Sequence, residues 1–234
     1  MKKNFSDLTV IIPTLNEAKN IPRLIDLLTR RYKDVRIMVA DDGSSDGTQE
    51  AVTRLSRGNS NIKLLDRSGN RDHGLTSSVI DAATRVNTAK TVVMDGDLQH
   101  PFQKVGEIAK ALDGNDLVIG VRTTVRNWGI QRRIISMCMN SFVYSAFKLA
   151  GRPTCSDMMS GFFGIRTALF KTLIRNNRSE YVGSGYKVLL DTLRVIGKDA
   201  RIDEVPFGTF HERKYGESKL GIKQVWNTLK STLS

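Results

Sequence analysis

The sequence has 234 residues, of which 36 are Lys or Arg and 24 are Asp or Glu, giving a formal charge of +12 at pH 7. With 40% hydrophobic residues, the chain can bury a core without disulfides, which excludes a disordered chain, a collagen and a disulfide scaffold. Cys138 and Cys155 lack metal-ligand spacing and indicate a reducing compartment. The positive charge predicts attraction to nucleic acid, anionic lipid or nucleotide phosphates.

No segment has the length and apolarity of a targeting or membrane-spanning sequence. Residues 1–9 contain no apolar run of signal-peptide length, so we expect no secretion. The longest uncharged stretch of the central apolar region, residues 134–147, is shorter than the roughly 20 residues that span a bilayer. We therefore expect no transmembrane helix in this sequence.

The first half alternates short β-branched segments with longer segments of helical period. We predict strands at residues 9–12, 35–40, 62–65, 91–94 and 117–119. We predict a helix with Asn20 as N-cap and Pro22 in its first turn, then helices at 48–55, 75–86 and 105–112. This alternation predicts an α/β fold with a mostly parallel sheet flanked by helices. Because ligands of such sheets bind beyond the carboxyl ends of the strands, residues after the strands are the candidates for chemistry.

Two acidic clusters follow predicted strands, at residues 41–48 (DDGSSDGT) and 95–101 (DGDLQHP). Carboxylates at i and i+2 around a glycine can converge on a hard cation, and oxygen ligands suit Mg²⁺ or Mn²⁺ bound with a phosphate ligand. Taken alone, either cluster is more simply a turn or a helix cap. Together, each after a strand, they predict a binding site.

The two clusters belong to a series of five ordered motifs. These are IIPTLNE at 11–17, DDGSSDGT at 41–48, DGDLQHP at 95–101, SDMMSGF at 156–162 and RKYGESK at 213–219. The series resembles the family-2 glycosyltransferases of GT-A fold, in particular the polyprenyl (dolichol) phosphate mannose synthases. The resemblance covers residues 8–220 and implies an inverting transfer of mannose from GDP-mannose to dolichyl or polyprenyl phosphate, with Mg²⁺ or Mn²⁺ and a β-linked product.

The resemblance also implies a donor site. Its residues would be Pro13, Leu15, Glu17, Ala40, Asp42, Asp95, Gly96, Asp97, Arg122, Arg213 and Lys219. The nucleoside pocket would be lined by Pro13, Glu17, Ala40 and Asp42. Leu15 departs from the family, which often has Tyr beside the base, so UDP-glucose or another nucleotide sugar stays open as the donor.

The implied chemistry centres on the second acidic cluster. Asp97 and Gln99 would ligate the metal, and Asp95 would face the ribose or the sugar of the donor. We expect His100 to be a positioning residue rather than a third ligand. The predicted catalytic residues are Asp95, Asp97, Arg122 and Asp157.

Basic and acidic residues elsewhere complete this site. Arg122 follows a strand, while Arg213 and Lys219 flank a turn at Gly216 that would close over the diphosphate. A lipid phosphate is already anionic at neutral pH, so we expect Asp157 to orient the acceptor or an Arg rather than take a proton.

Residues 117–156 contain six Lys or Arg and no Asp or Glu, together with many apolar side chains. Cations before an apolar helix suit the phosphate of a membrane-embedded lipid, with the helix lying in the interface. A buried hairpin of the core is the alternative. By the resemblance, Arg132 and Ser136 would contact the acceptor phosphate, and the protein would be peripheral to the cytoplasmic side of a membrane.

We predict one catalytic domain over residues 1–210, with its apolar acceptor segment at about 126–150, and a C-terminal extension over 211–234. Residues 220–233 have the spacing of an amphipathic helix, which would dock on a membrane, on a membrane-anchoring subunit or back on the domain. Many members of the resembled family carry a membrane-spanning tail, and we expect none within residues 1–234. The rival hypothesis, a basic nucleic-acid-binding protein, has little support, because aromatics are 7% and no such motif is found.

Overall fold

The computed structural model describes residues 4–123, 130–182 and 187–208, and of residues 130–135 only the helical backbone. The strands of this part are β1 (Leu8–Thr14), β2 (Arg36–Asp41), β3 (Ile62–Asp66), β4 (Lys90–Val93), β5 (Leu117–Arg122), β6 (Phe163–Arg166) and β7 (Ile202–Phe207). The α-helices are α1 (Ile21–Arg31), α2 (Thr48–Gly58), α3 (Leu75–Arg85), α4 (Val105–Ala111), α5 (Ile130–Leu149), α6 (Thr167–Asn176) and α7 (Val188–Val195).

The strands of the described residues form one sheet of seven, in the order β3-β2-β1-β4-β6-β5-β7. β6 is antiparallel to both of its neighbours, and every other pairing is parallel. The prediction of a mostly parallel sheet is confirmed. All strands except β6 therefore end at the same edge of the sheet, and β6 begins there, so six strand ends and one strand start meet at one edge.

Helices cover both faces of this sheet. One buried cluster joins the sheet to α1, α2 and α4, and a second joins it to α3, α5, α6 and α7. α1 shows why the sequence forms this arrangement: Ile21, Leu24, Ile25 and Leu28, at i, i+3, i+4 and i+7, are all at most 1% exposed. With both faces covered, β1 is buried along its whole length, as is typical of central parallel strands.

Asn20 occupies the N-cap position of α1, as expected, but its side chain does not cap the helix. Asn20 precedes the helix, but its backbone is already helical and its side chain makes no capping hydrogen bond. Its amide instead donates to Glu17 Oε2 at 2.7 Å, which leaves the side chain committed to the loop after β1.

The apolar segment after β5 forms the single long helix α5, so the alternative of a buried hairpin is wrong. Val143 and Phe147 are at most 1% exposed and join the core. Met137, Phe142 and Leu149 remain 69%, 41% and 90% exposed. No helix among the described residues is both long enough and apolar enough to span a membrane. α5 thus packs one face on the domain and leaves apolar side chains on another.

A buried carboxyl on α7 makes stability depend on pH. Asp191 is 2% exposed and accepts a hydrogen bond from the Val182 N–H at 3.2 Å. Desolvation raises its pKa from 3.8 to about 7, although that N–H and the nearby Arg194 and Lys187 oppose the effect. Because the pKa of Asp191 is higher in the folded state than in the unfolded state, its ionisation lowers the free energy of unfolding increasingly from about pH 4 to pH 7. Above pH 7 this loss of stability stays constant.

We expect Asp191→Asn to be more stable than the wild type at pH 8, by about 2–4 kcal/mol, because the amide needs no buried charge and can still accept from Val182. Urea unfolding at pH 8 and pH 5 measures this difference, which should be clearly smaller at pH 5. Asp199→Asn, at an exposed position after α7, is the control. A difference as large at pH 5 as at pH 8 would show that ionisation of Asp191 is not its origin.

Candidate active site

Hydrogen bonds join the loop after β1 to the loop after β2. The Asn16 N–H donates to Ser44 Oγ at 2.7 Å, and Asn16 Oδ1 accepts from the Ser45 N–H at 2.9 Å. Asn16 has φ +56°, a left-handed conformation that Asn tolerates better than most residues. Leu15, beside it, is 40% exposed at the sheet edge. The predicted nucleoside loop therefore presents Leu15 to solvent from a backbone fixed by its neighbour.

Two carboxylates of the first acidic cluster stabilise these joined loops. Asp41 is fully buried and accepts from the Ser44 N–H at 2.9 Å and from Gln49 Nε2 at 2.8 Å. Asp46 accepts from the Thr48 and Ala18 N–H groups; although burial opposes the effect, these hydrogen bonds lower its pKa. For Asp41 and Asp46 the simpler turn-and-cap interpretation holds, and neither is placed as a metal ligand.

Asp42 is held separately, by a buried arginine that the sequence analysis missed. Arg67 is 1% exposed and donates from Nη1 to Asp42 Oδ1 and from Nε to Asp81 Oδ2, the latter at 2.8 Å. Asp42 Oδ2 accepts from the Gly74 N–H at 2.6 Å. Arg67 directly follows β3, so the rule that picks out residues after strands applies to it too.

The remaining predicted nucleoside residues lie around the end of β1. Pro13 pairs with Ala40 across the β1–β2 ladder. Ala40 is fully buried in the core, so the residue exposes no surface to a ligand here. Glu17 is half-buried, and its N–H donates to Thr48 Oγ1 at 2.9 Å. The structure brings these three residues to the same sheet edge as Asp42.

The second acidic cluster turns sharply after β4. A Cβ on Gly96 would lie 2.9 Å from Ile21 Cδ1 and 3.1 Å from Thr14 Cγ2, so a larger residue would require these side chains to shift. Leu98 has φ +65°, a strained conformation of the kind found at functional sites. The Gln99 N–H donates to Asp97 Oδ1 at 3.0 Å. This turn brings Asp97, 4% exposed, and Gln99 together at the sheet edge.

The buried His100 packs beneath the second acidic cluster and fixes its backbone. Its ring is 2% exposed and stacks on Phe162 with 5.1 Å between ring centroids. Its Nδ1 accepts a hydrogen bond from the Asp95 N–H at 3.0 Å. The ring thereby fixes the backbone of Asp95, whose side chain is 37% exposed, and this geometry gives His100 a positioning role.

Arg122 and Asp157 form a bidentate ion pair beside that loop. Arg122 Nε and Nη2 donate to the two carboxylate oxygens at 2.6 and 2.8 Å. The two side chains are 13% and 8% exposed, so the pair is largely shielded from water. Bidentate charge-assisted hydrogen bonds of this type fix the plane of a guanidinium. Asp157 is thus engaged in orienting an arginine.

The SDMMSGF segment (156–162) packs directly on the second acidic cluster. A Cβ on Gly161 would lie 3.4 Å from Asp95 Oδ2 and 3.5 Å from His100 Cε1. Ser160 Oγ donates to the Gly120 carbonyl at 2.7 Å, which fastens the segment to β5. Four of the five sequence motifs therefore meet at one edge.

Some predicted residues cannot be placed. Arg213 and Lys219 lie outside the described residues, as do the side chain of Arg132 and the extension at 211–234. Ser136 lies half-buried on α5. The last described strand, β7, has Phe207 paired with Arg122, so the chain leaves the sheet at the edge that carries the site.

Comparison with known proteins tests the resemblance. The family model described as glycosyl transferase family 2 matches residues 9–174, which span β1 to β6 and four of the five motifs. The chain is a member of glycosyl transferase family 2. The part of this family 2 protein after residue 174, which includes α7 and β7, lies beyond the matched span.

Curated relatives of this family 2 protein share a third of its residues. It is 33% identical over 238 residues to the dolichol-phosphate mannosyltransferase of Mycosarcoma maydis, covering 94% of this chain and 76% of the relative. It is 32% identical over 233 residues to that of Saccharomyces cerevisiae, covering 93% and 82%. The chain is 33% identical over 229 residues to the dolichol-phosphate mannosyltransferase of Pyrococcus furiosus, and it spans 61% of that protein's length.

Solved structures support the fold. A glucosyl-3-phosphoglycerate synthase from Mycobacterium tuberculosis, in complex with Mn²⁺, UDP-glucose and phosphoglyceric acid, matches with a TM-score of 0.70. The two chains are 20% identical, and the match covers 97% of this chain and 78% of the other. The family 2 protein therefore has the expected GT-A architecture, while this likeness carries no information on its substrates.

Proposed function

We propose that this glycosyltransferase moves mannose from GDP-mannose to the phosphate of dolichol or a related polyprenol. The observation that carries the proposal is the agreement of relatives at 32–33% identity, which bear the names dolichol-phosphate mannosyltransferase and polyprenol monophosphomannose synthase. The site supports it, because carboxylates and Arg122 meet at the sheet edge, and α5 contacts the backbone on both sides of Asp157.

The proposed reaction is a single displacement. An oxygen of the lipid phosphate attacks the anomeric carbon, the bond from that carbon to the diphosphate breaks, and GDP leaves with the bonding electrons. An α-linked donor thus gives a β-linked product, without a covalent enzyme intermediate. The protein contributes alignment and charge stabilisation, with Arg122 held in one plane by Asp157.

A divalent cation fits the second acidic cluster. Asp97 and Gln99 offer hard oxygen ligands on one tight turn. A cation such as Mg²⁺ or Mn²⁺ takes oxygen ligands and keeps waters and substrate phosphates in its shell. Asp97 and Gln99 would hold it, and it would stabilise the charge of the leaving diphosphate.

The main alternative keeps the reaction class and changes the donor to UDP-glucose. Leu15, 40% exposed at the predicted position of the base, keeps this alternative open, because a leucine lacks the aromatic face on which a base would stack. Calorimetry with GDP-mannose and UDP-glucose in the presence of Mn²⁺ tests the donor. We expect GDP-mannose to bind at least tenfold more tightly. Tighter binding of UDP-glucose would replace the proposed donor.

We further propose that the protein works at the cytoplasmic surface of a membrane. The exposed apolar side chains of Met137, Phe142 and Leu149 on α5 support attachment to the interface. The thiols of Cys138 and Cys155 are unpaired, as suits a reducing compartment. Attachment would involve α5 alone, the extension at 211–234, or a membrane-anchoring partner.

We expect Arg132→Ala to raise the KM for polyprenyl phosphate about tenfold or more, because a charge-assisted hydrogen bond to the acceptor phosphate would be lost. The Kd for GDP with Mn²⁺ should not change. Steady-state transfer kinetics and calorimetry measure the two effects. Lys148→Ala, which removes an exposed cation near the other end of α5, is the matched control. Equal losses of donor and acceptor binding in Arg132→Ala would assign Arg132 to another part of the site.

A further inference from the structure

The segment that carries Asp157 is held by one amide side chain of α5. Asn140 Oδ1 accepts a hydrogen bond from the Met158 N–H at 2.8 Å. Asn140 Nδ2 donates to the Ser156 carbonyl at 2.9 Å. A single side chain thus binds the backbone immediately before and immediately after Asp157. Such a clamp needs a donor and an acceptor on one short side chain, which asparagine provides.

The same segment is fastened on its other side to β7. Glu204 accepts from the Ser156 N–H at 2.5 Å and from Ser156 Oγ at 2.6 Å. Ser156 is therefore bound through its N–H and hydroxyl to the sheet and through its carbonyl to α5. With both flanks fixed, the direction of the Asp157 carboxylate is determined by α5 and β7 together.

The fixed Asp157 carboxylate in turn orients the guanidinium of Arg122. Its two carboxylate oxygens accept both Arg122 donors within 2.8 Å, and the pair is mostly shielded from solvent. A continuous chain of hydrogen bonds therefore runs from Asn140, through the backbone around Asp157, to the guanidinium at the end of β5.

Asn140 also lies close to the predicted acceptor end of the site. Ser136 precedes it by four residues on α5, and residues at this spacing share one helix face. Val143 and Phe147, in the next turns, anchor the helix in the core, so Asn140 projects from a rigid element. Movement or occupation of this face of α5 would reach Asp157 through Asn140.

We propose that Asn140 is a positioning residue that couples the acceptor helix α5 to the Arg122–Asp157 pair. It fixes the backbone on both sides of Asp157. The Asp157 carboxylate then orients Arg122 toward the leaving group. The assignment of an acceptor to α5 rests on the proposed function, whereas the link from Asn140 to Arg122 does not.

The first test separates positioning from folding in the full chain. Asn140→Leu, which keeps the branching of the side chain, removes both hydrogen bonds, and Ser141→Ala, at an exposed neighbour, is the control. We expect Asn140→Leu to lower kcat for mannosyl transfer by 10- to 100-fold, while circular dichroism shows that the protein stays folded. An unchanged kcat would overturn the proposal.

A double-mutant comparison asks whether Asn140 acts through Asp157. If it does, Asn140→Leu combined with Asp157→Asn should be about as slow as the slower single variant. Multiplied losses would overturn the proposal, because they would mean that Asn140 acts by an independent route.

An NMR measurement tests the coupling of Asn140 to Arg122 without an assay of sugar transfer. The ¹⁵N–¹H signal of Arg122 Nε, assigned by its loss in Arg122→Lys, should move towards the position of solvent-exposed arginines in Asn140→Leu. Asn140→Asp, which keeps the acceptor for Met158 but lacks the donor to Ser156, gives the same readout if the leucine variant does not fold. An unmoved signal would overturn the coupling. A moved signal in a protein that transfers no mannose would support the coupling and count against the proposed function alone.

Discussion

Asp97→Ala should lower kcat/KM for sugar transfer by about 1000-fold. Asp97 is nearly buried in the tight turn after β4, and it is the one carboxylate of the proposed metal pair. Without it, the charge that develops on the leaving diphosphate would lose several kcal/mol of stabilisation. Transfer kinetics at saturating Mn²⁺, with circular dichroism to verify the fold, measure this effect.

Asp26→Asn, at a half-exposed position on α1, is the control for the loss of one carboxylate. Calorimetry of GDP with and without Mn²⁺ should show that Asp97→Ala loses the metal-dependent part of nucleotide binding. Wild-type activity in Asp97→Ala would refute the assignment of the metal.

Arg67→Met should destabilise the fold by about 3–5 kcal/mol. The Arg67 guanidinium is buried and paired with Asp42 and Asp81, so its removal takes the guanidinium away from both carboxylates, of which Asp42 is 9% exposed. The loss should also weaken nucleotide binding, because Arg67 orients Asp42. Urea unfolding at pH 7 and GDP calorimetry measure the two effects.

Arg54→Met, at an exposed position on α2, removes a cation of the same type and should change stability by less than about 0.5 kcal/mol. If Arg67→Met lowers the free energy of unfolding no more than this control, the ion pairs of Arg67 contribute no more to stability than the packing of a methionine does.

The part of the fold that local patterns encode was predictable. β-branched runs and helical periods located β1 to β5 and the helices between them, because consecutive βα units bury their apolar faces against neighbours in sequence. β6 was missed: it has four residues, follows a glycine-containing motif and enters between β4 and β5 with the opposite direction. Nothing in four residues specifies a position between two strands that lie far earlier in the chain.

The same limit applies to the site. The motifs located the residues that face the sheet edge, but not the contacts that fix them. Arg67 reaches Asp42 across 25 residues, and Asn140 reaches Met158 across 18. Such partners depend on how helices and strands pack in three dimensions. The position of Arg67 after β3 could have marked it as a candidate, but its partners, like those of Asn140, are recognisable only in the structure.

The most direct test is transfer of labelled mannose from GDP-mannose to polyprenyl phosphate, measured as label extracted into the organic phase. We expect metal-dependent labelling of the lipid by the wild type, loss of label with chelator, and near-background labelling by Asp97→Ala. Failure to label the lipid from GDP-mannose, in a membrane-reconstituted protein that binds the nucleotide with Mn²⁺, would contradict the proposed reaction.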